Sequence, residues 1–147
     1  MMTNLGADVT GIGRLIWLFA VGVLVAACSS AEDIAAAEGQ ISHFRQMMAG
    51  QQFGRVYAEA AEELRKAATE QDMVSLLAAV DRKLGAVKGS ERNNWSVNYQ
   101  TSSTFVTLGF KTHFERGDGV ETFVYRVADG KALLIAYHIN SNELITH

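Results

Sequence analysis

The chain opens with an apolar segment that ends at the only cysteine in the protein, Cys28. Thirteen apolar or small residues run unbroken over Leu15–Ala27, directly after Arg14. Secretory signals combine an apolar core of about this length with small residues at the cleavage site. The segment therefore predicts that residues 1–27 are a signal peptide, and that the part of the chain that folds starts at Cys28.

The four residues Val25-Ala26-Ala27-Cys28 resemble the lipobox of bacterial lipoproteins, in which a branched apolar residue and two small residues precede a modified cysteine. The resemblance implies that the Cys28 thiol carries a diacylglyceryl group, so that the membrane is a partner through this lipid. The residue after Cys28 is Ser29 and not an aspartate. This is similar to the pattern found in lipoproteins that are sorted to the outer membrane of Gram-negative bacteria. We therefore expect a lipid-anchored envelope protein at the outer membrane, facing the periplasm.

Two other interpretations of this segment compete with the lipoprotein signal, and the sequence argues against both. An uncleaved anchor needs about 20 apolar residues to span a membrane, and Arg14 interrupts the run before that length is reached. An ordinary signal peptide also ends in small residues. It would leave an unpaired thiol on a secreted protein, which lipidation explains and simple cleavage does not.

Length and charge limit what the rest of the chain can be. Removing residues 1–27 from the 147 leaves 120, which is enough for one domain. The net charge of -3, with both signs mixed along the chain, lacks the basic excess that nucleic-acid binding requires. Without a second cysteine, such a domain must be held together by burial and not by disulfides.

We predict three parts in the chain: the signal over 1–27, a lipidated tether over 28–40, and one domain over 41–147. The tether is small, polar and alanine-rich, and it runs into a helix for which Ser30 or Asp33 is a suitable N-cap.

Apolar residues recur at helical spacing in three stretches after the tether. The first stretch ends at Gly50, the second spans Phe53–Ala68, and the third follows a Thr69 cap and ends at Gly85. The residues expected to face the core from the first and third stretches are Ile34, Ile41, Phe44, Met48, Met73, Leu76, Leu77, Val80 and Leu84.

The apolar period changes to two after Gly85, which predicts β-strands. Short turns at Gly117-Asp118-Gly119 and Asp129-Gly130 make the strands antiparallel. The fold class is therefore α+β, with N-terminal helices packed on one face of a curved sheet of four or five antiparallel strands. The predicted strands lie around Trp95–Tyr99, Val106–Phe114, Glu121–Val127 and Lys131–Ile139, with Val87–Glu91 as a short additional one.

Several short segments are characteristic together: Leu76–Val80, Lys83–Lys88, Trp95 with Val97, Phe105–Leu108, Glu121–Arg126 and Asp129–Ala132. In these segments the chain resembles a family of secreted or lipid-anchored bacterial proteins known as a domain of unknown function, over about Ile41–Ile145. The order of elements is also similar to the nuclear transport factor two-like and ketosteroid-isomerase-like superfamily. That likeness implies a cone-like sheet wrapped around a helix and a cavity, and it implies no particular catalytic residues.

Alternation along the strands predicts an aromatic inner face. Four of its members carry a polar group at the tip of an apolar ring, and together they suit a pocket for a small apolar ligand. A filled core without a pocket is the alternative. The four candidate pocket residues are Trp95, Tyr99, Tyr125 and Tyr137, and the other residues expected to face inward are Phe110, Phe114, Phe123, Val127, Leu133, Ile135 and Ile139.

An enzyme would need a base inside the cone. By the same alternation Glu121 faces inward, and we expect it to be a solvated residue at the mouth of its strand. A non-enzymatic binding or interaction module is therefore the main prediction, and a cone-fold enzyme that uses Glu121 and tyrosine hydroxyls is the alternative.

Histidine spacing predicts neither a metal site nor a cofactor, since no pair or HExxH motif is present among His43, His113, His138 and His147. Apolar residues on the outward sheet face suggest either an envelope protein partner or a homodimer, with scattered surface exposure as the alternative. Those residues are Phe105, Val124, Leu134 and Ala136.

Overall fold

A computed structural model describes the backbone of residues 12–146 and the side chains of residues 30–145. The chain divides into two compact units, Met1–Glu32 and Asp33–His147, and the described backbone of the first is helical. The side chains of the predicted signal segment, that of Cys28 among them, lie outside the described residues, as does His147. No helix among the described residues is long and apolar enough to cross a membrane.

The second unit has the predicted α+β architecture. Its sheet is antiparallel with the strand order β1-β2-β3-β4, and the helices pack on one face of it. The fold class is confirmed, with four strands. The elements are α1 (Ile12–Ala49), α2 (Phe53–Glu59), α3 (Glu62–Ala67), α4 (Glu70–Leu84), β1 (Val87–Gln100), β2 (Ser103–Phe114), β3 (Gly117–Ala128), β4 (Lys131–Asn140) and α5 (Asn142–Thr146).

Helix α1 does not begin where a cap was expected. Ser30 and Asp33 both lie inside α1, so the predicted start at either residue is wrong. The alanine-rich stretch favours helix and gives the backbone no reason to break. Residues 33–40, which we assigned to the tether, belong to the second unit, and Ala37 is fully buried there.

The second predicted helix is broken into α2 and α3, which corrects the single helix expected over Phe53–Ala68. Ala60 and Ala61 have extended backbone between the two pieces. The N–H of Ala61 donates to the carbonyl of Leu134 on edge strand β4, at 2.9 Å. Edge strands carry unpaired backbone groups, so this bond satisfies one that a continuous helix would leave free.

The caps of α4 are confirmed. The Thr69 hydroxyl accepts from the N–H of Asp72 at 3.2 Å, and Gly85 follows the last residue with a φ of 77°. That backbone angle favours glycine because a side chain there is strained. The stripe of α4 is buried as expected, except that Leu76 is 37% exposed.

Strand β1 runs continuously from Val87 to Gln100, so the additional strand expected over Val87–Glu91 is its first part. Its pairing with β2 shifts between Arg92 and Asn94.

A bulge in β4 changes which residues face the core. Val124 pairs with Ala136, whereas its neighbour Tyr125 pairs with Leu134, so Ile135 is an extra residue. One extra residue reverses the alternation on one side of it. Leu134 is therefore buried and Leu133 is 37% exposed, which corrects the predicted inward Leu133 and outward Leu134.

The core lies between α1 and the inner face of the sheet. The α1 residues that enter it are Ala37, Ile41, Phe44 and Met47, and the central sheet residues are Val106, Leu108, Phe123, Tyr125, Val127, Leu134 and Tyr137.

Candidate functional site

The four aromatic residues predicted to form one pocket lie in two environments. Trp95 and Tyr99 are each 55% exposed, whereas Tyr125 and Tyr137 are buried. Trp95 pairs with the buried Leu108, so the predicted face is correct, but β1 is an edge strand and the helices leave this part of it open to solvent. The structure therefore does not bring the four side chains together at one site.

Tyr125 and Tyr137 belong to a packed aromatic cluster. The Tyr125 ring stacks on Phe123 with ring centroids 6.4 Å apart, and the Tyr137 ring lies 5.1 Å from Phe123 and 5.0 Å from Phe44. Burial raises the pKa of both phenols, and for Tyr137 the neighbouring charge of Glu121 raises the pKa further. The two tyrosines are thus packed into the core, and each borders a different cavity, of about 30 Å³ beside Tyr125 and about 220 Å³ beside Tyr137.

A buried ion pair connects α1 to β3 beside this cluster. Arg45 Nη1 donates to Glu121 Oε1 at 2.8 Å, and Arg45 Nη2 donates to Glu121 Oε2. The Glu121 side chain is fully buried, so the prediction of a solvated residue at the strand mouth is wrong. The prediction that Glu121 faces the inside of the sheet was correct. The C-terminal part of α1 covers this end of β3. The guanidinium also lies over the Phe123 ring, 5.5 Å from its centroid.

Two hydroxyl groups complete the bonding of the Glu121 carboxylate. Tyr137 donates to Oε1 at 2.8 Å, and Thr112 donates to Oε2 at 2.6 Å. Ser90 on β1 lies 3.1 Å from the Thr112 hydroxyl and extends the network to all four strands. A carboxylate has about four acceptor positions, and all four are in use here. Among the described residues, no buried side-chain N or O atom lacks a partner.

A cleft of about 390 Å³ opens beside the ion pair, between the C-terminal ends of α1 and α4 and the sheet. This volume is within the range of small-molecule sites. The Arg45 side chain is 19% exposed and lines the cleft, whereas the Glu121 side chain is fully buried. The walls are largely apolar and the only other charged residue that lines the cleft is Asp81; the remaining wall residues are Met48, Ala49, Val80, Gly85, Ala86, Val87 and Phe114.

This arrangement offers hydrogen-bond donors and no free acceptor at the ion pair. An arginine carries five N–H groups, and Arg45 directs them at Glu121 and, at 3.4 Å, at Thr112. No described residue accepts from Arg45 Nε. Because Glu121 already accepts four hydrogen bonds, it is poorly placed to take a proton from a substrate.

The histidines within the described residues lie at the surface or at its edge. His113 is 70% exposed and pairs with Asp118 at 2.6 Å, and His138 is exposed, as predicted for the outward face. His43 pairs with Glu59 at 2.7 Å. Within the described part of the chain, no three His, Cys, Asp or Glu side chains are grouped as a metal site.

Sequence reasoning missed Arg45, although a signal for it exists. Residues 41, 44, 45 and 48 form one helical stripe by their spacing, so Arg45 is a cation within an apolar face. A buried cation requires an anion, and Glu121 is the inward carboxylate that the strand alternation provides.

No family model matches this chain, and no curated protein is similar to it. The geometry of the cleft and the ion pair therefore carries the functional argument.

Proposed function

We propose that this protein is a bacterial lipoprotein, anchored in the envelope through a lipid on Cys28, whose single domain binds a small apolar ligand. The apolar run that ends at the lone cysteine supports the anchor. The cleft beside Arg45 supports the binding function, and it replaces the aromatic pocket that the sequence suggested.

One observation carries the binding proposal. Arg45 is held by a buried carboxylate, and its partly exposed side chain lines a mostly apolar cleft. Ligand sites combine apolar walls with a small number of fixed polar groups that orient the ligand. The bidentate pairing with Glu121 gives Arg45 the fixed geometry that such a role needs.

The alternative function is an enzyme that acts on a small apolar substrate with Glu121 and tyrosine hydroxyls. A general base needs a free lone pair within reach of the proton that it takes. Glu121 is fully buried behind Arg45 and accepts four hydrogen bonds, two of them from the guanidinium. These contacts favour binding over proton transfer.

Native mass spectrometry of the membrane-extracted protein tests the binding function. We expect a small apolar molecule to co-purify, and to be lost in the Ala49→Phe variant, because Ala49 is an exposed residue on the wall of the cleft. Ala58→Phe, on the exposed side of α2, is the matched control and keeps the ligand. A chemically converted co-purified compound would favour the enzyme.

The same spectra report whether the outward face, where Phe105 and Val124 are half-buried, forms a homodimer or binds an envelope protein.

Intact-mass analysis and membrane fractionation test the anchor. The protein should carry lipid mass, and Cys28→Ser should abolish both the lipid mass and the processing. Ser29→Asp should move the protein from the outer to the inner membrane, whereas Ser29→Ala should not. Absence of lipid mass, or a Cys28→Ser variant with unchanged processing and membrane retention, would rule out the lipoprotein proposal.

A further inference from the structure

The hairpin of β1 and β2 ends in an exposed stretch that carries no charge. Charged residues make up 20% of the chain, yet none occurs between Arg92 and Lys111. Residues 93–104, which we call the hairpin tip, comprise the end of β1, the turn and the start of β2. All residues from 93 to 102 are exposed except Val97, which is half-buried. Exposed surfaces of soluble domains are usually rich in charged residues, so the hairpin tip is unusual for a surface that meets only water.

Two exposed aromatic side chains share one face of the hairpin tip. Trp95 and Tyr99 lie four positions apart on the same strand, so both are on the inner face of the sheet. Each combines an apolar ring with a polar tip, and both residue types are enriched at the boundary between membrane and water. The other exposed side chains of the hairpin tip are Asn, Gln, Ser and Thr, which can donate and accept hydrogen bonds without the desolvation cost of a charge.

Helix α1 approaches the hairpin tip as it is followed back toward Asp33. The last residue of the helix, Ala49, lines the cleft together with Val87 at the start of β1. Further back, Glu38 pairs with Arg92, which directly precedes the hairpin tip. The direction along α1 that leads back to Asp33 is therefore the direction along β1 that leads to the hairpin tip.

The turn between β3 and β4 supports this arrangement. Thr104 of the hairpin tip pairs with Val127, and Ala128 beside it pairs with Lys131, so the two turns lie at the same end of the sheet. Ala36 on α1 lines a cavity together with Lys131. The first residues of α1 that belong to the domain and the hairpin tip therefore lie at one end of the sheet.

A lipid on Cys28 would hold this end of the domain near the bilayer. Cys28 lies five positions before Asp33, where the second unit begins. A chain spans at most about 3.6 Å per residue, so these two residues are within about 18 Å of each other. So short a tether gives this end of the domain a high effective concentration at the lipid surface, where a weak contact is enough to persist.

We propose that the hairpin tip lies in the interface of the bilayer to which Cys28 is anchored, with Trp95 and Tyr99 at the level of the lipid head groups. The proposal rests on the lipid anchor proposed above. The short tether and the absence of charge both favour a lipid surface as the occupant. A second copy of the chain that covers Trp95 is the alternative that the experiment separates.

The fluorescence of Trp95 tests the contact, because the chain from Cys28 onward contains no other tryptophan. The processed protein is reconstituted in vesicles of phosphatidylethanolamine and phosphatidylcholine. In one set of vesicles the phosphatidylcholine is brominated near the carbonyl end of its acyl chains, because bromine quenches an indole that approaches it closely. The matched control combines Trp95→Phe with Val87→Trp, which moves the tryptophan to an exposed position at the opposite end of the same strand.

We expect brominated lipid to reduce the fluorescence of Trp95 and to leave that of a tryptophan at position 87 unchanged. Tyr99→Glu should reduce the quenching of Trp95, because it places a charge where the hairpin tip meets lipid. Val120→Glu adds the same charge at an exposed apolar position at the opposite end of the sheet and should leave the quenching unchanged.

The intact mass of the same samples separates the contact from the anchor. Lipid mass on a protein whose Trp95 is quenched no more than a tryptophan at position 87 contradicts the contact and leaves the anchor standing. Absence of lipid mass overturns the anchor, and the contact with it. Unquenched Trp95 whose emission is shifted to shorter wavelength, in a protein that is dimeric by native mass spectrometry, shows that a second copy covers the hairpin tip.

Discussion

The carboxylate of Glu121 accepts two hydrogen bonds from the guanidinium of Arg45, which lies 76 positions earlier in the chain. The contact joins α1, which covers the sheet, to β3. At this point the Glu121 side chain is fully buried and the Arg45 side chain is largely buried. Arg45 has the position of a core residue on α1, and the pairing lets a charge occupy that position. The same pair bounds the cleft that we propose as the ligand site.

Removing the cation should destabilise the fold strongly. Arg45→Met leaves the Glu121 charge buried without its partner, and we expect a loss of about 3–5 kcal/mol in the free energy of unfolding by urea. Arg55→Met, in an exposed pair with Glu59, is the control and should change it by less than about 1 kcal/mol.

The double variant Arg45→Met with Glu121→Gln should recover part of the loss, because it buries no unpaired charge. If Arg45→Met and Arg55→Met unfold at the same urea concentration, the buried pair does not form.

The two buried tyrosines should respond differently to loss of the hydroxyl. Tyr137→Phe removes a hydrogen bond to a buried carboxylate and should cost about 1.5–3 kcal/mol of unfolding free energy. Tyr125 borders a small cavity beside α1, and its hydroxyl makes no hydrogen bond to a described residue, so Tyr125→Phe should cost much less. Tyr125→Ala should cost about 3–5 kcal/mol, since it removes a whole buried ring. Equal urea midpoints for the two phenylalanine variants would contradict the network around Glu121.

Stability should fall at alkaline pH because both of these phenols have raised pKa values in the folded protein. The unfolded chain releases the two protons near the ordinary pKa of 10.0, while the folded chain retains them. Stability is thus fully present below about pH 10 and declines above it, by about 1.4 kcal/mol per pH unit for each tyrosine. Urea melts across this range measure the slope, and the double variant Tyr125→Phe with Tyr137→Phe should flatten it. An equal slope in that variant would show that other groups cause the decline.

The bulge at Ile135 predicts opposite results for neighbouring leucines. Leu134→Ala should cost about 2–5 kcal/mol, because Leu134 is buried in the core. Leu133→Ala should cost less than about 1 kcal/mol, because Leu133 is 37% exposed and points away from the core. Urea melts of the two variants provide the comparison. A larger loss for Leu133→Ala than for Leu134→Ala would support regular alternation along β4 and contradict the bulge.

Local patterns in the sequence determined the element types and the fold class. The Thr69 cap, the stop at Gly85 and the Asp129-Gly130 turn depend on side-chain and backbone preferences within a few residues, and all three are found. Strand alternation likewise identified Glu121 as an inward residue. Such features are readable because each is decided by neighbours along the chain.

Contacts between distant segments decided the rest. The break at Ala60–Ala61 depends on a carbonyl of Leu134, and the burial of Glu121 depends on Arg45 arriving from α1. Trp95 is the opposite case from Glu121. It lies on the inner face of the sheet, as alternation predicts, but it remains exposed because the helices do not cover that part of the face. Alternation assigns a face to a residue, but only the packing of other elements against that face determines whether water is excluded. The cleft beside Arg45 is likewise a product of tertiary packing, because it lies between helix ends and strands that the sequence places far apart.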